Sequence, residues 1–197
     1  MQDTADPTIV IVPGLRDHVP GHWQTLLAER LDKVRTVPPL EHDKLGLAAR
    51  IAALDDVVAE IDGPVVLVAH SAGVMITVHW AQRNRRPVRG ALLATPADLE
   101  TPLPSGYPTS DDLGAGGWTP IPRGRLPFPS VLAASTTDPL AAFRRVTGMA
   151  EAWGSRLVDL GDVGHLNPAS GYGDWPRGQK LLNELIASTA AEAEVLR

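Results

Sequence analysis

The chain has 197 residues, enough for one domain with a sizeable core, and its 44% hydrophobic and 21% charged residues are the balance of a soluble globular protein. Its formal net charge is -5 with no basic cluster, which argues against nucleic acid or an anionic membrane as a main partner. It contains no cysteine, which excludes disulfides, thiol catalysis and cysteine-based metal sites.

Residues 1–7 are polar and acidic and lack the basic and apolar stretches of a signal peptide. No transmembrane run follows, and a cytoplasmic location is expected. Residues 8–12 form an apolar, β-branched strand that ends at the turn Pro13-Gly14-Leu15. After a loop over 16–21, the spacing of Leu26, Leu27 and Leu31 predicts a helix over 22–34. A short strand over 35–38 is cut off by two prolines. Residues 45–61 read as a long amphipathic helix carrying Leu47, Ile51, Leu54, Val58 and Ile61, stopped by Asp62-Gly63-Pro64.

The next stretch organises the chain. Val65 to Val68 is a continuous apolar run, as in a strand covered on both faces. Ala69-His70-Ser71-Ala72-Gly73 then matches G-x-S-x-G with Ala69 for the first glycine, and residues 74–84 read as helix. In that motif the serine sits on a tight strand-to-helix turn, with small residues two before and two after it because the backbones nearly touch. Ser71 therefore stands at a helix N-terminus, where free N–H groups favour developing negative charge.

Beyond it, 88–93 is a strand. Residues 95–129 are rich in Pro, Gly and Ser and show no sustained periodicity, and they read as a long excursion over the active-site mouth with one short helical turn. Residues 130–134 are a strand, and 139–153 a helix with Leu140, Phe143, Val146 and Met149 inward. A last strand over 156–160, a Gly-rich loop over 161–175 and a closing helix over 178–196 complete the chain. Strands alternating with helices predict an α/β fold: about six mostly parallel strands, helices on both faces, one domain over 1–197 and no separate cap domain.

A serine is a weak nucleophile until a base removes its proton. In the strand-turn-helix version of this chemistry the order is Ser, then acid, then His. Among six histidines, His165 alone follows the motif, His70 and His79 aside, on the loop after the last strand. The acid is Asp138, after strand 130–134, where it also suits a helix N-cap before Pro139. Asp98, one strand earlier, is the rival acid. Asp162 is too near His165 in sequence to reach it comfortably. The expected oxyanion hole uses the N–H groups of Ala72 and Leu15, with Gly14 letting the backbone turn inward. Arg16 is a candidate contact for a substrate carboxylate. Trp23, Tyr107, Trp118 and Trp175 are candidates for an aromatic wall. No His/Asp/Glu cluster shows metal-ligand spacing, and no metal or other cofactor is expected.

Five blocks carry a resemblance that spans nearly the whole chain: Ile11-Val12-Pro13-Gly14, Gly21-His22-Trp23-Gln24, Val68-Ala69-His70-Ser71, Ala134-Ser135-Thr136-Thr137-Asp138-Pro139, and 164–176 from Gly164-His165 to Trp175-Pro176. With these the chain resembles the small α/β-hydrolase-fold serine hydrolases related to retinoblastoma-binding protein nine, the YdeN-like group. The resemblance implies a minimal α/β hydrolase, a catalytic triad of Ser71, Asp138 and His165, and esterase or amidase action on a small acyl substrate. Two stretches depart from that pattern and bear on substrate preference: the charged loop 15–18, and 36–44, which lacks the group's aromatic-rich run. Acyl transfer with the same triad is an alternative, and a non-catalytic interaction module on a hydrolase scaffold is another.

Overall fold

The computed structural model describes residues 6–83 and 86–195. One sheet of six parallel strands runs in the order β2-β1-β3-β4-β5-β6. The strands are β1 (Thr8–Val12), β2 (Val34–Thr36), β3 (Val65–His70), β4 (Gly90–Ala94), β5 (Ser130–Ala134) and β6 (Arg156–Asp159). The helices are α1 (Trp23–Arg30), α2 (Leu47–Ala59), α3 (Ala72–Arg83), α4 (Ser110–Ala115), α5 (Phe143–Trp153) and α6 (Pro176–Val195).

Strand side chains alternate between faces, so the central strand must be apolar throughout to serve two cores. In β3, Val65, Leu67 and Ala69 belong to the core that includes residues of α2, α3 and α5, while Val66 and Val68 belong to the core that includes residues of α1 and α6. All six residues of β3 are buried. From β1 the chain crosses outward to β2, then returns past β1 to β3 and proceeds toward the other edge. The winding thus reverses between β1 and β3, and a crevice opens at their C-terminal ends. The register pairs Val12 with Ala69, which sets Pro13-Gly14-Leu15 beside His70-Ser71.

Several element ends differ from the sequence reading. The first helix stops at Arg30, because Leu31 turns extended (φ -98°, ψ 131°) and Val34 is drawn into pairing with Ile9. A β-branched residue beside a buried strand gains more from the ladder than from another helical turn. The helix expected from 139 begins at Phe143, since the Asp138 carboxylate takes the Leu140 N–H and folds 138–141 into a turn. The expected helix ends at Asn84 and Leu196, and the N-terminal stretch 1–5, lie outside the described residues.

The 95–129 excursion is packed. It carries α4, opened by a reciprocal capping box between Thr109 and Asp112. Leu99, Leu113, Trp118, Ile121, Leu126 and Phe128 are buried in the core. The Trp118 indole N–H donates to the Leu45 carbonyl at 2.6 Å, and that of Trp153 to the Pro122 carbonyl at 2.7 Å. Arg145 of α5 grips Asp98 through two nitrogens (2.7 and 2.9 Å) and Glu100 at 2.8 Å. These anchors are irregularly spaced, which is why no period announces them.

Candidate active site

The β3–α3 turn forces Ser71 into the left-handed region, φ 58°. For a residue with a Cβ this costs on the order of 1–3 kcal/mol and persists only when neighbours over-determine it. They do. The Ser71 N–H donates to the Ala94 carbonyl at 3.1 Å and its carbonyl accepts from the Val74 N–H at 3.0 Å. A Cβ at Gly73 would be driven into the Val12 carbonyl, so α3 starts directly against the end of β1. A Cβ at Gly14 would stand 3.1 Å from the Ser71 Cβ, so the β1 turn closes on the serine from the other side. The hydroxyl is left to project into the crevice.

His165 sits on the β6–α6 loop between Gly164 and Leu166, both at positive φ. Its N–H donates to Ser170 Oγ at 3.0 Å, and its carbonyl accepts from His70 Nε2 at 2.9 Å and Thr95 Oγ1 at 3.4 Å. The imidazole Nε2 lies 2.8 Å from Ser71 Oγ. Nδ1 lies 2.9 Å from each oxygen of Asp138, whose carboxylate is also held by the Leu140 N–H at 2.9 Å. Thr137 braces the acid and histidine loops together, donating to Asp162 and accepting from the Gly164 N–H at 3.1 Å. Asp98, the rival acid, is fully buried and ion-paired with Arg145, and the carboxylate hydrogen-bonded to His165 is that of Asp138. Burial opposes its charge, yet the Arg145 guanidinium overrides that and holds the carboxyl below its ordinary value.

These side chains open on a cavity of about 140 Å³. Its walls are mostly apolar, with Leu15, Val19, Leu99, Leu103, Tyr107 and Leu140 among them, and Ser71, His165, His22 and His70 at the polar end. Leu15 and Ala72 line the cavity beside Ser71. Ala72 opens α3, so its N–H belongs to the first-turn amides that have no acceptor within the helix. Arg16 reaches the rim, its guanidinium 5.5 Å above the Tyr107 ring. The lining does not include Trp23, Trp118 or Trp175. All three are packing residues: Trp23 and Trp175 meet edge-to-face at 4.8 Å under α1, and Trp118 is wholly enclosed.

Two neighbouring histidines went unassigned in the sequence. His70 is buried, and desolvation, then the proximity of His165 and His22, push it well below the ordinary imidazole range. It is therefore a neutral donor to the His165 carbonyl. His22 is pushed down to about 4, first by burial and then by His165 and His18. The available signal for His22 was its place immediately before an apolar helix, after a strand-ending loop, where an N-cap is needed. Among the described residues no group of three or more His, Cys, Asp or Glu could hold a metal ion, and no helix is long and apolar enough to cross a membrane.

A family model described as serine hydrolase matches residues 9–184. Among solved structures, a protein described as a YdeN-like hydrolase from Pectobacterium atrosepticum is 31% identical with a TM-score of 0.78, covering 92% of this chain and 91% of its own. The ydeN gene product of B. subtilis is 17% identical (TM-score 0.68; 92% and 100% covered), and Est1E of Butyrivibrio proteoclasticus with bound ferulic acid is 13% identical (0.70; 94% and 91%). The last two show the likeness of fold alone. Comparison with curated protein sequences finds no match.

Proposed function

The chain belongs to the serine hydrolase family and has the α/β-hydrolase fold, and from that premise we propose that it cleaves a small ester through an acyl-enzyme on Ser71. The observation that carries this reading is the unbroken line of hydrogen bonds from Asp138 through His165 to Ser71, ending at an apolar cavity.

In this mechanism Ser71 Oγ attacks the carbonyl carbon as His165 Nε2 takes the hydroxyl proton. The carbonyl electron pair moves onto oxygen, where the N–H groups of Ala72 and Leu15 receive it. Losing one such donor typically costs about 2.7–4 kcal/mol of transition-state stabilisation. Asp138 keeps the ring proton on Nδ1 and offsets the imidazolium charge. Collapse breaks the ester C–O bond, and the leaving alkoxide takes the proton from Nε2. Water then attacks the acyl-enzyme and gives a proton to His165. The second collapse returns that proton to Ser71 and releases the acid. The small apolar cavity supports a short acyl group, and Leu99, Leu103 and Tyr107 support a role for the 95–129 excursion as the covering of its mouth.

Steady-state turnover of short p-nitrophenyl esters tests this. Wild type is expected to turn them over, with kcat lower by ~10³-fold or more in Ser71→Ala and in His165→Ala. A folded Ser71→Ala protein with wild-type turnover would overturn the assignment.

A further inference from the structure

His22 takes no part in the line from Asp138 to Ser71, yet it is built into the cavity wall. It stands at the N-cap of α1, only 7% exposed, and its Nδ1 accepts the Gln24 N–H at 3.2 Å. That bond fixes the tautomer, leaving the ring proton on Nε2. No group among the described residues accepts it. Nor is Nε2 sealed in: among those residues the one fully enclosed side-chain polar atom without a partner is Trp23 Nε1. The Nε2–H donor is thus unpartnered and accessible, on a ring that lines the cavity.

The donor is held in place. Gln24 Nε2 clamps the first turn of α1 to the carbonyls of Val12 (3.2 Å) and Val68 (3.0 Å), at the ends of β1 and β3. The ring of His70, the residue before Ser71, packs edge-on at 4.6 Å, and Trp23 lies at 5.7 Å. Burial keeps the ring uncharged at neutral pH, so it donates as a neutral imidazole. The cavity it lines is walled largely by apolar side chains, Leu99, Leu103 and Leu140 among them, with Asp17 and Asn167 also in the lining.

Resting on the serine-hydrolase reading, we propose that His22 is a specificity subsite whose Nε2–H donates to an uncharged ether, hydroxyl or carbonyl oxygen carried by the substrate a few bonds from the scissile carbonyl. The preferred substrates are then short oxygen-bearing esters rather than plain alkanoates. An uncharged acceptor is indicated because one neutral donor does not offset the desolvation of a carboxylate.

The test compares isosteric pairs: p-nitrophenyl methoxyacetate against p-nitrophenyl butyrate for the acyl side, and 2-methoxyethyl acetate against butyl acetate for the alcohol side. The readout is the ratio of kcat/KM within each pair. His22→Phe is expected to lower that ratio about tenfold in one pair, the worth of a hydrogen bond whose loss leaves a buried group unpaired. His22→Gln, which keeps a neutral N–H donor, is expected to restore most of it. Should His22→Phe fail to fold, His22→Met carries the same comparison. A ratio unchanged in both pairs, with all rates falling alike, overturns the His22 assignment alone. Wild type that turns over none of the four esters and takes no fluorophosphonate label overturns the serine-hydrolase reading itself.

Discussion

Replacing Asp138 with Asn probes the charge logic of the site without moving its atoms. One Asp138 oxygen accepts the Leu140 N–H at 2.9 Å, and both oxygens lie 2.9 Å from His165 Nδ1. An amide has a single acceptor. With its carbonyl on the Leu140 N–H, the NH₂ group faces Nδ1, which must then accept. The ring proton shifts to Nε2 and points at Ser71 Oγ, 2.8 Å away, so the imidazole can no longer take the hydroxyl proton. The imidazolium also loses its counter-charge: two unit charges about 4 Å apart at an effective dielectric of 20 interact by ~4 kcal/mol. That corresponds to a ~10³-fold lower kcat on a short p-nitrophenyl ester, with KM nearly unchanged and Tm within a few degrees of wild type. A folded Asp138→Asn protein whose kcat stays within tenfold of wild type would refute this reasoning and turn attention to Asp98.

Gly73→Ala pushes a methyl group into the carbonyls at the end of β1. Overpacking of this kind costs about 1–3 kcal/mol, so Tm should fall by roughly 3–10 °C, and an unchanged melt would contradict the close approach of α3 to β1. Arg145→Ala leaves Asp98, whose side chain is 1% exposed, as an unpaired buried charge. A loss of about 3 kcal/mol by urea unfolding is expected, partly recovered by adding Asp98→Asn; a silent Arg145→Ala would mean the pair contributes nothing. The depressed histidines set a pH slope. The unfolded chain binds a proton at His22 near pH 6.5 that the folded chain refuses until about 4. Stability is therefore full above pH 6.5 and falls as pH drops through that window, by about 2 kcal/mol from His22 after allowing for the solvent that reaches it. His70 acts in the same direction. Melts at pH 7.5 and 4.5 should differ less in His22→Gln than in wild type, and equal differences would contradict the assignment.

The centre of the fold was legible because its physics is local. A fully apolar strand, a small-residue turn and a helix announce β3, Ser71 and α3 in ten consecutive residues. His165 and Asp138 were legible because chain order in a parallel sheet dictates which loops reach the same edge. What escaped was decided by distant partners. Asp98 and Asp138 both follow a strand, and only the position of Arg145 against one and His165 against the other tells them apart. Trp118 reads as a binding residue on a Gly-rich stretch until its indole is seen against the Leu45 carbonyl. His22 reads as the start of a helix, and nothing in the sequence says that its ring lines a cavity.

The most direct test of the central claim is intact-mass and peptide-mapping mass spectrometry after exposure to a fluorophosphonate probe. Wild type is expected to gain one adduct, on the peptide containing Ser71. Ser71→Ala should gain none, and His165→Ala should label slower by orders of magnitude. A folded wild-type protein that gains no adduct, or a Ser71→Ala protein labelled as fast as wild type, would contradict Ser71 as the activated nucleophile.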